Sequence, residues 1–100
     1  MYTSNEIMEM LNSNMNNIEK FHISKIGLFG SFARDEQNDK SDIDILVEFK
    51  EGYETFDNYM DLKFYLEALF HRKVDVVILN SIKPLVKPSI LRSVKYAKGA

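Results

Sequence analysis

The sequence contains no cysteine, so neither a disulfide bond nor a thiolate metal site can form. The N-terminus lacks the apolar core of a signal peptide, and no apolar run approaches the ~18 residues that a membrane-spanning helix needs. The lack of cysteine is compatible with a reducing compartment. We therefore expect a soluble, cytoplasmic protein with no membrane partner.

Acidic residues are absent after Asp75, whereas cations are not. Five of them follow, namely Lys83, Lys87, Arg92, Lys95 and Lys98. Such a run is usually the solvated face of a helix, and the alternative is a surface that meets an acidic partner or a polyphosphate. The net charge of the whole chain is −2, which gives no general reason to expect direct nucleic-acid binding.

Hydrophobic periodicity divides the 100 residues, which we expect to form one domain over 1–100, into helices and strands. Apolar residues three or four apart predict helices over about 4–20 and 57–70, and Thr3 and Glu6 have capping-box spacing before the first. "SFARDEQ" can open a further short helix. Two prolines in the last quarter predict a broken helix, with a short terminal strand as an option. Short apolar runs predict strands at 25–30, 42–49 and 73–80.

Strands that alternate with helices indicate an α/β sheet. The helix at 57–70 is the crossover that a parallel second and third strand require. The first strand must run antiparallel to the second if the turn at its end is to meet the second strand's acids. We therefore predict a small mixed α/β (α+β) fold: about three strands in the order 1-2-3, packed with about four helices.

Three aspartates fall at the beginning of predicted strands. Asp42 and Asp44 are two residues apart, so their side chains share a face of the sheet with Cα atoms ~7 Å apart. Asp75 lies early in the third strand. If the second and third strands are parallel, all three acids meet at one end of the sheet.

Three neighbouring carboxylates repel one another, which raises their pKa values and destabilises the fold. A divalent cation relieves this repulsion, and ligands that are all oxygen suit Mg²⁺ or Mn²⁺. Because Mg²⁺ is usually held by one or two carboxylates together with substrate phosphates, an open aspartate cluster implies a phosphate-bearing substrate.

The Gly30-Ser31 turn fits such a substrate. Glycine lets a phosphate approach the backbone, and the amides that open the next helix face the anion. Arg34 is close enough in sequence to reach the same phosphates, although it could instead pair with Asp35 or Glu36. Residues 35–41 are expected to be a spacer without a chemical role.

The segments "GLFGSFARDEQNDKSDIDILVEF" (27–49) and "KVDVVIL" (73–79) together resemble the minimal nucleotidyltransferase (MNT) family, which shares the fold of DNA polymerase β. The shared pattern is Gly-Ser, an arginine three residues after the serine, Asp-x-Asp at the next strand and one more acid on the third. The resemblance covers roughly residues 4–97.

The resemblance implies nucleotidyl transfer from ATP with two Mg²⁺ ions. Asp42 and Asp44 would hold both ions, and Asp75 would complete the site of the ion that activates the acceptor. Gly30 and Ser31 would cradle the β- and γ-phosphates, and Arg34 would support the triphosphate.

Family members of this length are typically antitoxins that transfer AMP to a tyrosine of a HEPN-domain RNase toxin. The resemblance therefore implies a protein adenylyltransferase whose toxin is both substrate and partner, with the basic C-terminal segment or the helix at 57–70 as the contact surface. Two alternatives stay open: an antitoxin that neutralises its toxin by binding alone, and nucleotidyl transfer to a small molecule such as an aminoglycoside.

Overall fold

The sheet has four strands, one more than predicted. The computed structural model describes residues 2–97, so Lys98 of the predicted basic run lies outside the described residues. Strand β1 pairs antiparallel with β2 and β4, while β2 and β3 are parallel. The order β3-β2-β1-β4 confirms the predicted arrangement and adds β4 at the outer edge of β1. The strands are β1 Ile23–Phe29, β2 Ile43–Phe49, β3 Val74–Ile78 and β4 Lys95–Tyr96.

The described residues contain five α-helices, where about four were expected. The predicted helix at 4–20 is interrupted at Asn14, whose backbone is not helical and whose side-chain amide donates to the Met10 carbonyl at 2.8 Å. Asparagine competes for backbone hydrogen bonds in this way, which explains the break. The described part of the last quarter, where a broken helix was predicted, contains instead one short α-helix with Pro88 in its first turn, followed by the short strand that the sequence left as an option. The helices are α1 Ser4–Ser13, α2 Met15–Ile18, α3 Gly30–Ala33, α4 Phe56–Phe70 and α5 Lys87–Ser93.

Helix α1 begins with the predicted capping box. The Thr3 hydroxyl accepts a hydrogen bond from the Glu6 amide at 3.2 Å, and the Glu6 carboxylate accepts one from the Thr3 amide at 2.9 Å. Helix α4 has a single cap, in which the Thr55 hydroxyl accepts from the Asn58 amide at 3.1 Å. These caps satisfy amides that the first helical turn leaves without a partner.

The main core lies between one face of the sheet and the long helices. Alternate residues of the strands, such as Leu28 and Ile45, are fully buried in one cluster with Leu11 of α1 and with Leu62 and Leu66 of α4. Asp44 and Asp75 point to the opposite face of the sheet, because each is adjacent in sequence to core residues and successive side chains of a strand alternate between faces. The acids are therefore presented away from the main core.

The segment from β3 to β4 links the two edges of the sheet, and its helix α5 contacts β1 and α3. Gly27 is required where this segment meets β1. A Cβ atom at Gly27 would lie 2.9 Å from both the Lys95 carbonyl oxygen and a methyl group of Val94. A larger residue would therefore displace β4.

Residues 35–41 do more than connect α3 to β2. The Asp35 carboxylate accepts hydrogen bonds from the Ser4 amide at 2.8 Å and from its hydroxyl at 3.2 Å, and Ser4 is only 2% exposed. Lys95 of β4 donates to the same hydroxyl at 3.0 Å. The segment expected to be a plain spacer thus fastens the beginning of α1, and through Ser4 it is linked to β4.

No helix within residues 2–97 is long and apolar enough to cross a membrane.

We expect Asp35→Ala to lower the free energy of unfolding by about 1–3 kcal/mol, because it leaves the buried Ser4 amide without its acceptor. Chemical denaturation followed by circular dichroism measures this change. Glu36→Ala is the matched control, since it removes only an exposed ion pair that is worth about 0–1 kcal/mol. Equal losses for the two variants would contradict a structural role for Asp35.

Candidate active site

The strand registers bring three of the predicted site segments to one end of the sheet. Phe29, the last residue of β1, lies opposite Asp44 of β2. Asp44 in turn lies beside Asp75 of the parallel strand β3. Because Gly30 and Ser31 directly follow Phe29, the turn and the acids are neighbours in space, as the predicted antiparallel pairing of the first two strands requires.

Gly30 lies directly against Asp44. Its φ of 77° is in the left-handed region that glycine adopts readily. A Cβ atom built on Gly30 would collide with the Asp44 carboxylate oxygen Oδ2 and would lie 2.9 Å from its Cγ. Both the backbone conformation and the close approach therefore require glycine at this position.

Asp44 is the most perturbed carboxyl group of this cluster. Partial burial, and then the negative charges of Asp75 and Asp42, raise its pKa to about 6. The positive charge of Arg34 acts in the opposite direction and lowers the pKa. Three predicted site residues, Asp42, Asp75 and Arg34, are thus within electrostatic reach of Asp44, which is half-buried, whereas Asp42 and Asp75 are exposed.

The donor set fits a hard divalent cation held together with a substrate. All three acids offer oxygen ligands, which Mg²⁺ prefers. Among the described residues, however, no three His, Cys, Asp or Glu side chains are gathered closely enough to hold a metal on their own. Water molecules and substrate phosphates would therefore have to supply the remaining ligands, which is the usual coordination of Mg²⁺ in such sites.

Arg34 forms an ion pair with Glu36, one of the two acidic neighbours that the sequence offered as partners. Its Nε donates to the Glu36 carboxylate at 3.3 Å, and both side chains are about half exposed or more. Asp35, the other possible partner, binds Ser4 instead. Because an exposed ion pair of this kind is worth only about 0–1 kcal/mol, Arg34 is readily available to a bound phosphate.

A cavity of about 450 Å³ lies at the opposite end of β2. Glu48, Glu51 and Glu54 contribute to its lining, together with Phe49, Gly52 and Asn80. Its lining therefore carries three acids and no cation, which disfavours a phosphate. We place the candidate site at the aspartates and not in this cavity.

Sequence reasoning overlooked Arg72. Its side chain donates hydrogen bonds to three backbone carbonyls of the loop that precedes Asp42. The only feature of the sequence that could have pointed to this role is the position of Arg72, directly before the predicted strand that carries Asp75. That signal is weak, because arginine is common at the ends of helices.

This chain is similar in sequence to known nucleotidyltransferases. A family model described as "nucleotidyltransferase domain" matches residues 10–97. A candidate protein adenylyltransferase of Methanocaldococcus jannaschii is 43% identical over 99 residues, which cover 96% of this chain and 99% of the relative. The protein adenylyltransferase MntA of Thermococcus cleftensis is 38% identical over 97 residues, which cover 96% and 97% respectively.

Solved structures show the same fold. A candidate minimal nucleotidyltransferase superposes with a TM-score of 0.80 at 28% identity, covering 94% of this chain and 95% of that chain. A chain from a toxin–antitoxin crystal structure with AMP-PNP superposes with a TM-score of 0.69 at 25% identity, covering 99% of this chain and 75% of that chain. The mixed α/β arrangement predicted from the sequence is therefore confirmed.

In metal-free protein we expect Asp75→Asn to lower the pKa of Asp44 from about 6 toward its ordinary value of 3.8, because it removes a repelling charge. Arg34→Gln should raise this pKa further. NMR titration of the side-chain carboxyl carbon measures both shifts, and Asp61→Asn on α4 is the control that should change nothing. An unchanged Asp44 pKa in Asp75→Asn would contradict the proximity of the two acids.

The raised pKa of Asp44 also makes the stability of the metal-free protein depend on pH. The folded state holds this proton more tightly than the unfolded chain, so the stabilising contribution is complete below about pH 4. It is lost as the pH rises through about 6. Asp44→Asn should remove this component of the pH dependence of the unfolding free energy.

Proposed function

We propose that this chain, which belongs to the nucleotidyltransferase domain family, transfers AMP from ATP to a tyrosine of a cognate HEPN-domain RNase toxin. The single observation that carries the proposal is the contact between Gly30 and Asp44 beside Asp75. It joins the turn that would bind the phosphates to a carboxylate cluster suited to Mg²⁺. We further propose that residues 1–100 act as one domain in the cytoplasm, where ATP is abundant.

The proposed roles are those that the family resemblance implies, and the location of the residues at one end of the sheet supports them. Asp42 and Asp44 would hold two Mg²⁺ ions, with Asp75 as a third ligand for one of them. The ions would supply Lewis-acid stabilisation of the charge that develops on the attacking and leaving oxygens. Because metal ligands must be deprotonated, binding should strengthen as the pH rises through the Asp44 pKa of about 6.

The phosphate side of the site comes from the turn after β1. Gly30 presents a backbone without a side chain, Ser31 offers a hydroxyl, and Arg34 offers a positive charge held only by an exposed ion pair. These groups would bind the β- and γ-phosphates of ATP. The acceptor oxygen would form a bond to the α-phosphorus as the bond to pyrophosphate breaks, and the acceptor proton would pass to Asp75 or to water.

A protein acceptor is supported by the comparisons. Relatives that align over 96% of this chain are named as protein adenylyltransferases. One chain of similar fold comes from a toxin–antitoxin structure with AMP-PNP. The aspartates of this chain are also largely open, so a partner protein would have to help enclose the nucleotide.

The basic C-terminal segment is the contact surface that we favour for this partner. Leu85 is 92% exposed, and Val86 and Leu91 are also exposed. Lys83, Lys87 and Arg92 alternate with these apolar side chains. A partner surface with apolar and acidic residues fits this pattern better than a bare polyphosphate, which would use the cations but not the leucines. Helix α5 of this segment also contacts α3 of the proposed phosphate site.

We expect Asp44→Asn to reduce AMP transfer to the toxin by more than about 100-fold, because loss of a direct metal ligand should exceed the 10–100-fold cost of losing a supporting group. Mass spectrometry of the toxin after incubation with ATP and Mg²⁺ measures the transfer. Asp39→Asn, an exposed acid in the adjacent loop, is the control and should retain activity. Wild-type activity in Asp44→Asn would contradict the site assignment.

The same variants test the alternative of neutralisation by binding alone. If Asp44→Ala protects cells from the toxin fully and wild-type protein transfers no AMP, the binding antitoxin is the correct function. Recovery of AMP on a small molecule and not on the toxin would instead favour the other alternative.

We expect Leu85→Glu to weaken toxin binding by about 10-fold or more, since burying a leucine side chain is worth about 1.5–3 kcal/mol. Calorimetric titration with the toxin measures affinity, and the unfolding midpoint should not change because Leu85 is already exposed. Phe64→Glu on the exposed face of α4 is the matched comparison. Weakened binding for Phe64→Glu alone would assign the contact to α4 instead.

A further inference from the structure

Asp42 lies outside every helix and strand, because β2 begins at the residue after it. Its side chain is exposed, so packing does not hold it in place. The backbone on either side is nevertheless fixed by Arg72 and Lys73, the two residues that directly precede β3. Arg72 Nε donates to the Ser41 carbonyl at 2.9 Å, and the Ile43 amide donates to the Lys73 carbonyl at 3.0 Å.

The rest of the Arg72 side chain extends this attachment. Its Nη2 donates to the Asn38 carbonyl at 3.1 Å and to the Asp39 carbonyl at 2.9 Å. One planar guanidinium group thus bonds to carbonyls at both ends of the turn before Asp42. Arginine suits this task because its donors form a rigid fork, whereas the single ammonium group of lysine presents a point charge on a flexible stem.

Arg72 also contacts the phosphate side of the site. Its guanidinium carbon lies 5.2 Å from the ring centroid of Phe32, a distance typical of cation–π contacts. Phe32 is fully buried and directly follows Ser31. Arg72 therefore lies between the turn that carries Gly30 and Ser31 and the loop that carries Asp42.

We propose that Arg72 is a positioning residue that holds Asp42 in place as a ligand for a divalent cation bound beside Asp44. The short stretch from Arg72 to Asp75 then does two things, since it carries the third acid and fixes the backbone of the first. The inference rests on the proposed function for the identity of the ligand, a divalent cation together with a nucleoside triphosphate. It assigns Arg72 no contact with the reacting atoms.

The test measures Mn²⁺ binding by the full chain with a non-hydrolysable ATP analogue, using electron paramagnetic resonance. Arg72→Lys should weaken Mn²⁺ binding by about 10–100-fold, the usual cost of losing a group that supports a metal ligand. Lys20→Arg, an exposed cation that precedes β1, is the control and should bind as the wild type does. Wild-type Mn²⁺ affinity in folded Arg72→Lys would overturn the proposal, even if the unfolding midpoint fell.

A double-mutant cycle separates positioning of Asp42 from a general loss of structure. If Arg72 acts through Asp42, Arg72→Lys should cost less than about twofold in Mn²⁺ affinity once Asp42→Asn is present. The same loss in both backgrounds would overturn the proposal. Restoration of Mn²⁺ binding to Arg72→Ala by added guanidinium ion is the expected result of a rescue experiment, and a failure of rescue counts against the proposal.

Phe32→Leu provides a second route if the Arg72 variants do not fold. It keeps an apolar side chain in the core but removes the ring beneath the guanidinium group, and it should weaken Mn²⁺ binding by about two- to fivefold. Unchanged affinity would count against the proposal. If the wild type binds Mn²⁺ and the analogue but transfers no AMP, the proposed function fails while the positioning role stands. If the wild type binds no Mn²⁺, the positioning role fails as well.

Discussion

The unfavourable negative charge of the aspartates at the N-terminal end of β2 is the constraint on which the site depends. Burial disfavours the charge of Asp44, and the charges of Asp75, which lies beside it in the sheet, and of Asp42 add to this, so the pKa of Asp44 is raised to about 6. A group in this state gains free energy from any cation that joins it. Arg34 provides part of that compensation within the chain. The rest of the negative charge is not compensated within the site and would have to be compensated by a bound cation. Functional sites can retain such an unfavourable arrangement because the rest of the fold stabilises them.

The elements that could be predicted from the sequence are those that local pattern determines. Strand parity placed Asp44 and the buried Ile45 on opposite faces, and the capping box at Thr3 and Glu6 was visible from spacing alone. All three predicted strands are present within two residues of their expected bounds. The location of the site at the end of the sheet followed from these local rules and from two assumptions, that the second and third strands are parallel and that the first and second are antiparallel.

The features that were missed depend on contacts between distant residues. Strand β4 was anticipated only as an option, because its two residues are too few for any periodicity, and its place depends on Gly27 leaving room for Lys95. The bonds from Arg72 to the loop before Asp42, and those from Asp35 to Ser4, join segments about 30 residues apart. An arginine or an aspartate in a sequence does not indicate which distant group it will bind, because both residue types are mostly exposed on protein surfaces.

The parallel pairing of β2 and β3 also has a consequence for when the site comes into existence. A parallel pair cannot close through a tight turn, and here the connection includes the whole of α4. During synthesis Asp42 and Asp44 leave the ribosome well before Asp75, so a nascent chain has the opening motif but not the complete cluster. Competence to bind the proposed metal–nucleotide complex should therefore be acquired late, with the slow non-local step of folding.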